Sequence, residues 1–209
     1  MERRKSMVGS GRLIVFEGVD ESGKTSVSKR LATALEAKGH KCLWLAFPGH
    51  EPNTIGAEIY ALHHDPRFAN APALSVQLLH VAAHIEAIQQ RILPALKAGK
   101  WVILDRYWWS TLAYGLAAKV DSTALRLAIQ IEQREWGSVK PTLAFLFTRN
   151  LPEVKTQPGE RRRLQKIYRQ IAEQQRPRHP VETIENNGTL DEAASQVISV
   201  IFELLPSCP

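Results

Sequence analysis

The stretch that most limits what this chain can fold into is Phe16-Glu17-Gly18-Val19-Asp20-Glu21-Ser22-Gly23-Lys24-Thr25, set between an apolar run and an amphipathic one. Gly18, Gly23, Lys24 and Thr25 fall on the spacing G-x-x-x-x-G-K-[ST] of a phosphate-binding loop. The two glycines allow backbone angles that a Cβ disfavours, so that successive amide N–H groups aim at one anion. Leu13-Ile14-Val15-Phe16 reads as a buried strand, and Val27, Leu31, Ala34 and Leu35 recur at helical spacing. A helix starting near Lys24 adds its N-terminal dipole to the loop. Strand, loop and helix in this order make Gly18, Asp20, Ser22, Gly23, Lys24, Thr25 and Ser26 the candidate nucleotide contacts. Lys24 is expected to reach the β- and γ-phosphates of a nucleotide, with the Thr25 hydroxyl as a Mg²⁺ ligand.

A length of 209 residues suits one compact α/β domain, read here as residues 11–209 behind a loose tail at 1–10, in which Met7 is a second candidate start. No apolar run is long enough for a transmembrane helix, and the basic start has no apolar stretch behind it, so it is not a secretory signal. Two cysteines, Cys42 in an expected buried strand and Cys208 near the end, make no disulfide framework and fit a reducing cytoplasm. The net charge is +6. The segment from Arg149 to Arg178 holds nine lysines and arginines against three glutamates, and so carries the whole excess. A local basic patch of this kind fits a lid over a nucleotide better than a broad nucleic-acid surface, and no aromatic interleaving of the kind used by single-strand binders accompanies it. Neither nucleic acid nor a membrane is an expected partner.

Further strands are expected at 41–47, 101–106, 141–147 and 181–185. Expected helices cover 53–64 with Asn53 as cap, 73–97 with Pro94 bending the last turn, 110–118, 121–136, 160–175 and 190–205. Apolar strands alternating with helices imply a parallel sheet covered on both faces. The strand at 101–106 is apolar up to an abrupt Asp105-Arg106, which places a carboxylate at the carboxyl edge of the sheet, where ligands bind in open α/β sheets.

At this point the chain resembles the thymidylate kinase family of P-loop nucleoside monophosphate kinases. The carriers are Phe16-Glu17-Gly18-Val19-Asp20, Phe47-Pro48 after the second strand, and Asp105-Arg106-Tyr107 followed by Ser110, Ala113 and Tyr114. The resemblance implies a three-layer α/β P-loop kinase fold: a five-stranded parallel sheet flanked by helices, with a short lid at about 149–163. It implies Mg-ATP as donor, a nucleoside monophosphate as acceptor, and a homodimer. Carried over by position, Asp20 approaches the acceptor, Arg106 grips its phosphate and Asp105 sits near the magnesium. Tyr114 is a substrate-site candidate, although it and Tyr107 read equally well as core aromatics. The phosphate loop carries Glu21-Ser22 and no arginine, so the catalytic cation is expected from the lid at Arg161, Arg162 or Arg163, with Arg149 as a substitute.

Departures concentrate in the acceptor site. Where the family usually has an aromatic residue to stack on thymine and an arginine four residues later, this chain has His80 and His84. These join Phe47 as candidate substrate contacts, with a charge expected to vary near neutral pH; the bland alternative is two ordinary residues on one helix face. The leading expectation is therefore phosphoryl transfer from Mg-ATP to a nucleoside monophosphate, with dTMP as first candidate. The rival is a non-catalytic nucleotide sensor or interaction subunit that has lost its acceptor site. A GTPase switch is disfavoured, because no Asn-Lys-x-Asp run appears.

Overall fold

The computed structural model describes residues 11–150, 152 and 159–205; the expected tail, Cys208 and most of the lid loop lie outside the described residues. Five strands, β1 (Arg12–Gly18), β2 (Cys42–Ala46), β3 (Trp101–Asp105), β4 (Leu143–Thr148) and β5 (Val181–Glu185), form one parallel sheet in the order β2-β3-β1-β4-β5. The three inner strands are apolar at nearly every position because both of their faces are covered.

One face presents Leu13, Val15, Val102, Leu104, Ala144 and Leu146. It is covered by α3 (Ala73–Ala87), α5 (Trp108–Ala117), α6 (Ser122–Trp136) and α7 (Glu160–Gln175), which contribute residues such as Trp109, Leu125 and Ile171. The other face presents Ile14, Phe16, Ile103, Phe145 and Phe147 to α1 (Lys24–Ala37) and α8 (Leu190–Glu203), through Val27, Leu31, Leu35, Val197 and Ile201. Alternation along each strand thus feeds two separate cores. The rings of Phe16 and Phe145, paired across β1 and β4, lie 5.2 Å apart at their centres.

The structure corrects several expectations. β2 is an edge strand and only Leu45 in it is fully buried, so Cys42 is half-buried. Burial, helped by Glu36, still pushes its thiol up to about 11 and keeps it unreactive. The helix after β2, α2 (Ile55–His63), is capped by Thr54, whose side chain accepts from the Ala57 amide, and not by Asn53. Asn53 instead takes a left-handed turn, φ +62°, a conformation that asparagine tolerates. Pro94 widens the long helix one turn earlier than expected. Residues Ile88–Ile92 form a π turn between α3 and α4 (Leu93–Lys97), because Pro94 has no N–H for the Gln90 carbonyl and its ring crowds that oxygen.

Two substitutions test this packing by urea denaturation. Phe145→Ala, opening a hole in the core that β4 shares with α1 and α8, is expected to cost about 3–5 kcal/mol. Thr189→Ala removes half of the capping box that Thr189 and Glu192 form at the start of α8 and should cost about 1 kcal/mol; equal losses would contradict the division between core and cap.

Candidate active site

All five strands run the same way, so their carboxyl ends deliver Gly18, Phe47, Asp105-Arg106, Arg149 and Asn186 to one edge. The phosphate loop leaves β1 at Gly18, φ +135°, where a Cβ would come within 2.2 Å of the Phe147 carbonyl oxygen. It enters α1 at Gly23, φ +96°, where a Cβ would meet the Asn186 amide at 2.3 Å. That amide donates to the Ser22 carbonyl at 2.8 Å, tying the loop to the turn after β5. Lys24 Nζ donates to the Val19 carbonyl at 2.6 Å, spanning the loop, and burial pulls its ammonium down to about 8. Ser26 is exposed at the helix start.

Thr25 and Asp105 meet as expected. The Thr25 hydroxyl bonds Asp105 Oδ2, while Asp105 Oδ1 is buried with no partner. A hydroxyl and an orphaned carboxylate oxygen beside a phosphate loop are a hard-oxygen donor set of the kind magnesium takes together with phosphate oxygens. Among the described residues no group of three or more histidine, cysteine or acidic side chains is arranged to hold a metal.

Arg106 has a left-handed backbone, φ +74°, a strain of about 1–3 kcal/mol that turns the chain sharply off β3. Its guanidinium pairs with Asp20 Oδ1 and donates to Ser110 Oγ at 3.1 Å; Tyr114 donates to Asp20 Oδ2 at 2.5 Å. Burial disfavours the charge of Arg106, yet the oxygens of Tyr168, Tyr114, Asp20 and Glu17 around it hold it more firmly protonated than a free arginine. Burial works to raise Asp20 as well, but Arg106, Tyr114 and Lys24 outweigh it and hold that carboxyl below the usual range. Tyr114 therefore belongs to the site, whereas Tyr107 is a core aromatic against Trp136.

Of the lid arginines, Arg161 reaches the loop, donating to Glu21 Oε2 at 2.8 Å and to the Pro152 carbonyl at 2.9 Å. Arg149 donates to the Glu21 carbonyl at 3.3 Å. Arg163 turns away to the Leu116 carbonyl, and Arg162 is exposed on α7.

Two cavities meet at this edge. One of about 290 Å³ surrounds the phosphate loop and Arg149, and one of about 720 Å³ opens between β2, α2, α3 and α5. Asp20, Thr25, Asp105 and Arg106 line both. Five of the seven histidines, His50, His63, His64, His80 and His84, line the larger one. His63 and His80 approach at 3.0 Å through their Nε2 atoms. Burial first, then His84, His63 and Arg106, push His80 down to about 3; it is neutral at pH 7, against the expectation of a charge varying there. His84 is buried, lies flat on Phe47 with 3.9 Å between ring centres, and bonds Glu132.

The thymidylate kinase family model matches residues 16–200. A thymidylate kinase of Syntrophotalea carbinolica is 32% identical over 205 residues, covering 88% of this chain and 92% of that protein. The chain belongs to the thymidylate kinase family. One of Pelotomaculum thermopropionicum is 36% identical over 138 residues, covering 66% of this chain and 62% of that protein. The crystal structure of an Ehrlichia chaffeensis thymidylate kinase shares the fold with a TM-score of 0.76 at 23% identity, covering 92% of this chain and 99% of that one. By family this is an ATP-dependent nucleoside monophosphate kinase, with the expected five-stranded parallel core.

Sequence reasoning quoted Glu17 only as part of a motif, yet it organises the site. It accepts from the Tyr107 amide at 2.7 Å, the Ser110 amide at 3.0 Å and the Ser110 hydroxyl at 2.7 Å. The signal was present: a lone acid ending an apolar strand needs several donors. Asn186, Thr111 and Glu132 gave no such signal. Burial raises Glu17 from an ordinary 4.5 to about 7, against the pull of Ser110, Arg106, Tyr107 and Lys24. The folded state then binds this proton more tightly than the unfolded chain, so ionising Glu17 weakens stability as pH rises from about 4.5 to about 7. Glu17→Gln should lose that downward slope; urea midpoints compared across pH 5–7.5 test it, and an identical slope in both proteins removes the assignment.

Proposed function

We propose that this chain transfers the γ-phosphoryl group of ATP to dTMP, with magnesium bound at Thr25 and Asp105. The observation that carries the reading is the sharing of Asp20, Thr25, Asp105 and Arg106 by the two cavities, which sets a donor phosphate chain and an acceptor phosphate against the same groups. An acceptor phosphate oxygen attacks the γ-phosphorus as the bond to the β–γ bridging oxygen breaks, and ADP leaves. The acceptor oxygen is already anionic, so no strong base is needed; position and positive charge do the work. Bound magnesium supplies positive charge at the transferring group. Lys24 leaves the Val19 carbonyl for phosphate oxygens, Arg106 exchanges Asp20 for the acceptor phosphate, and Arg161 exchanges Glu21 for the transferring group. The Thr111 hydroxyl, buried without a partner in the wall of the larger cavity, has an unused hydrogen bond for the base. Nothing observed favours the sensor reading. Few cysteines and no helix among the described residues able to cross a membrane suit work in the cytoplasm.

ADP release with Mg-ATP is measured against dTMP, dUMP, UMP, dCMP, CMP, AMP and GMP. dTMP is expected to stimulate it most; no stimulation by any of them while ATP still binds would sink the proposal. Arg106→Ala should lower kcat/KM for the acceptor by about 10²–10³-fold with a much smaller loss of ATP affinity, and equal losses for both substrates would contradict its assignment.

The homodimer rests on the exposed Leu78 and Leu79 of α3 and Leu127 and Ile131 of the adjacent α6, an apolar surface that a second copy would cover. Light scattering should give twice the 23.5 kDa chain mass, and Leu127→Glu with Ile131→Glu should give the monomer; a monomeric native protein refutes it.

A further inference from the structure

Lys29 lies on α1, one turn beyond Thr25, and is exposed in the wall of the larger cavity. Its Nζ stands over the Trp44 ring, 4.7 Å from the ring centre, and no hydrogen bond or ion pair to a described residue holds it there. Trp44 is itself fixed. Its indole N–H donates to Ser28 Oγ at 2.9 Å, and that hydroxyl donates to the Thr25 carbonyl at 3.1 Å. Trp44 and Ala46, two apart on β2, share one side of the strand, and both line the cavity. Ala46 is paired with Asp105 across the sheet and brings only a methyl group to that place.

Charge at this end of the cavity does not balance. Asp20 and Asp105 line it together with Arg106, and a phosphate monoester brings close to two further negative charges near pH 7. One guanidinium cannot offset them all. Among the residues that line the cavity, Lys29 is the one other lysine or arginine. Lys24, Arg106 and Arg161 must each leave an oxygen to meet a nucleotide; Lys29 leaves only a ring. A cation over an aromatic face at an exposed site is held weakly, whereas its hydrogen bond to a phosphate oxygen is charge-assisted and strong.

We propose that Lys29 is a second residue for the acceptor phosphate: its ammonium moves from the Trp44 ring to the phosphate that Arg106 grips, so the cavity selects a phosphorylated nucleoside over the free one. The inference rests on the larger cavity being the acceptor site. Trp44 keeps the ammonium at the cavity without neutralising it, as a carboxylate partner would.

The test is made on the full chain without ATP, so that it does not depend on turnover. Calorimetry compares dTMP with thymidine, which lacks the phosphate. Lys29→Ala should weaken dTMP at least about tenfold and leave thymidine within about twofold. Lys29→Arg, which keeps the charge, should bind dTMP within about threefold of the native protein. Added salt should weaken dTMP binding more in the native protein than in Lys29→Ala. Four of the five tryptophans are buried and Trp44 is half-buried, so departure of the ammonium is read as a change in Trp44 emission. dTMP should produce that change and thymidine should not, and Trp44→Phe should abolish it. A purely structural role for Lys29 would weaken both ligands alike. That result overturns the inference, as does dTMP bound undiminished by Lys29→Ala, dTMP bound no tighter than thymidine by the native protein, or an emission change that survives in Trp44→Phe. Phosphoryl transfer to dTMP by a protein whose dTMP affinity ignores Lys29 would leave the kinase reading standing and remove this one. Lys29-dependent dTMP binding in a protein that transfers nothing from ATP does the reverse.

Discussion

The buried carboxylate of Glu17 is the tie on which the active edge depends. It sits at the end of β1, one residue before the phosphate loop, and its oxygens take two backbone amides and a hydroxyl from the segment that follows β3. Those bonds hold the turn in which Arg106 adopts its left-handed backbone. The Ser110 hydroxyl continues to Tyr168 on α7 at 2.9 Å, so the loop strand, the Arg106 turn and α7 share one network. Burying a carboxyl without such donors would be costly; with them, the cost is converted into a fixed relation between three elements distant in sequence.

Around this tie four cations at the crevice are already engaged by the protein. Lys24 holds the Val19 carbonyl, Arg106 holds Asp20, Arg161 holds Glu21 and Arg149 holds the Glu21 carbonyl. In the proposed reaction, nucleotide binding is therefore an exchange of partners. The exposed Glu21–Arg161 pair is worth little in water and is easily surrendered to a phosphate. The Asp20–Arg106 pair is about as open to solvent but is braced by Tyr114 and Ser110, so Arg106 stays aimed into the crevice with its charge assured. Asn186 has a quieter part: it pins the Ser22 carbonyl, so that the loop's shape does not have to be built by the nucleotide.

The fold was legible because its signals are local and periodic: apolar runs bounded by glycine, helical spacing after Lys24, and an acid-base pair ending β3. The phosphate site was legible for the same reason, since Gly18 through Thr25 are contiguous. What could not be read was everything that depends on which distant faces meet. Glu132 looks like one of many polar residues of α6, and only the packing of α3 on α6 turns it into the buried partner of His84. Cys42 was misjudged because the run at 41–47 is apolar without saying whether its strand is central or at the edge. The cap of α2 moved from Asn53 to Thr54 because asparagine serves a left-handed turn and a cap equally well. Among the neighbouring arginines 161–163 a helix sends successive side chains about 100° apart, so one faces the loop and another reaches α5, a choice that depends on where α7 lies.

The acceptor cavity gains a direction from this arrangement. At the sheet edge it holds Arg106, with Lys24 and Thr25 close by, and at the far wall it holds imidazoles. A free lysine or arginine on that far wall would compete with Arg106 for the acceptor phosphate. His80, neutral at pH 7 because burial holds it near 3, exerts no such pull. His84 is tied to Glu132 on α6 through Nδ1 while its ring still lines the cavity wall. In the proposed reaction a monophosphate entering between them finds the Arg106 guanidinium at one end and the neutral His80 imidazole at the other. On the proposed reading, it is this polarity along the cavity that orients the acceptor.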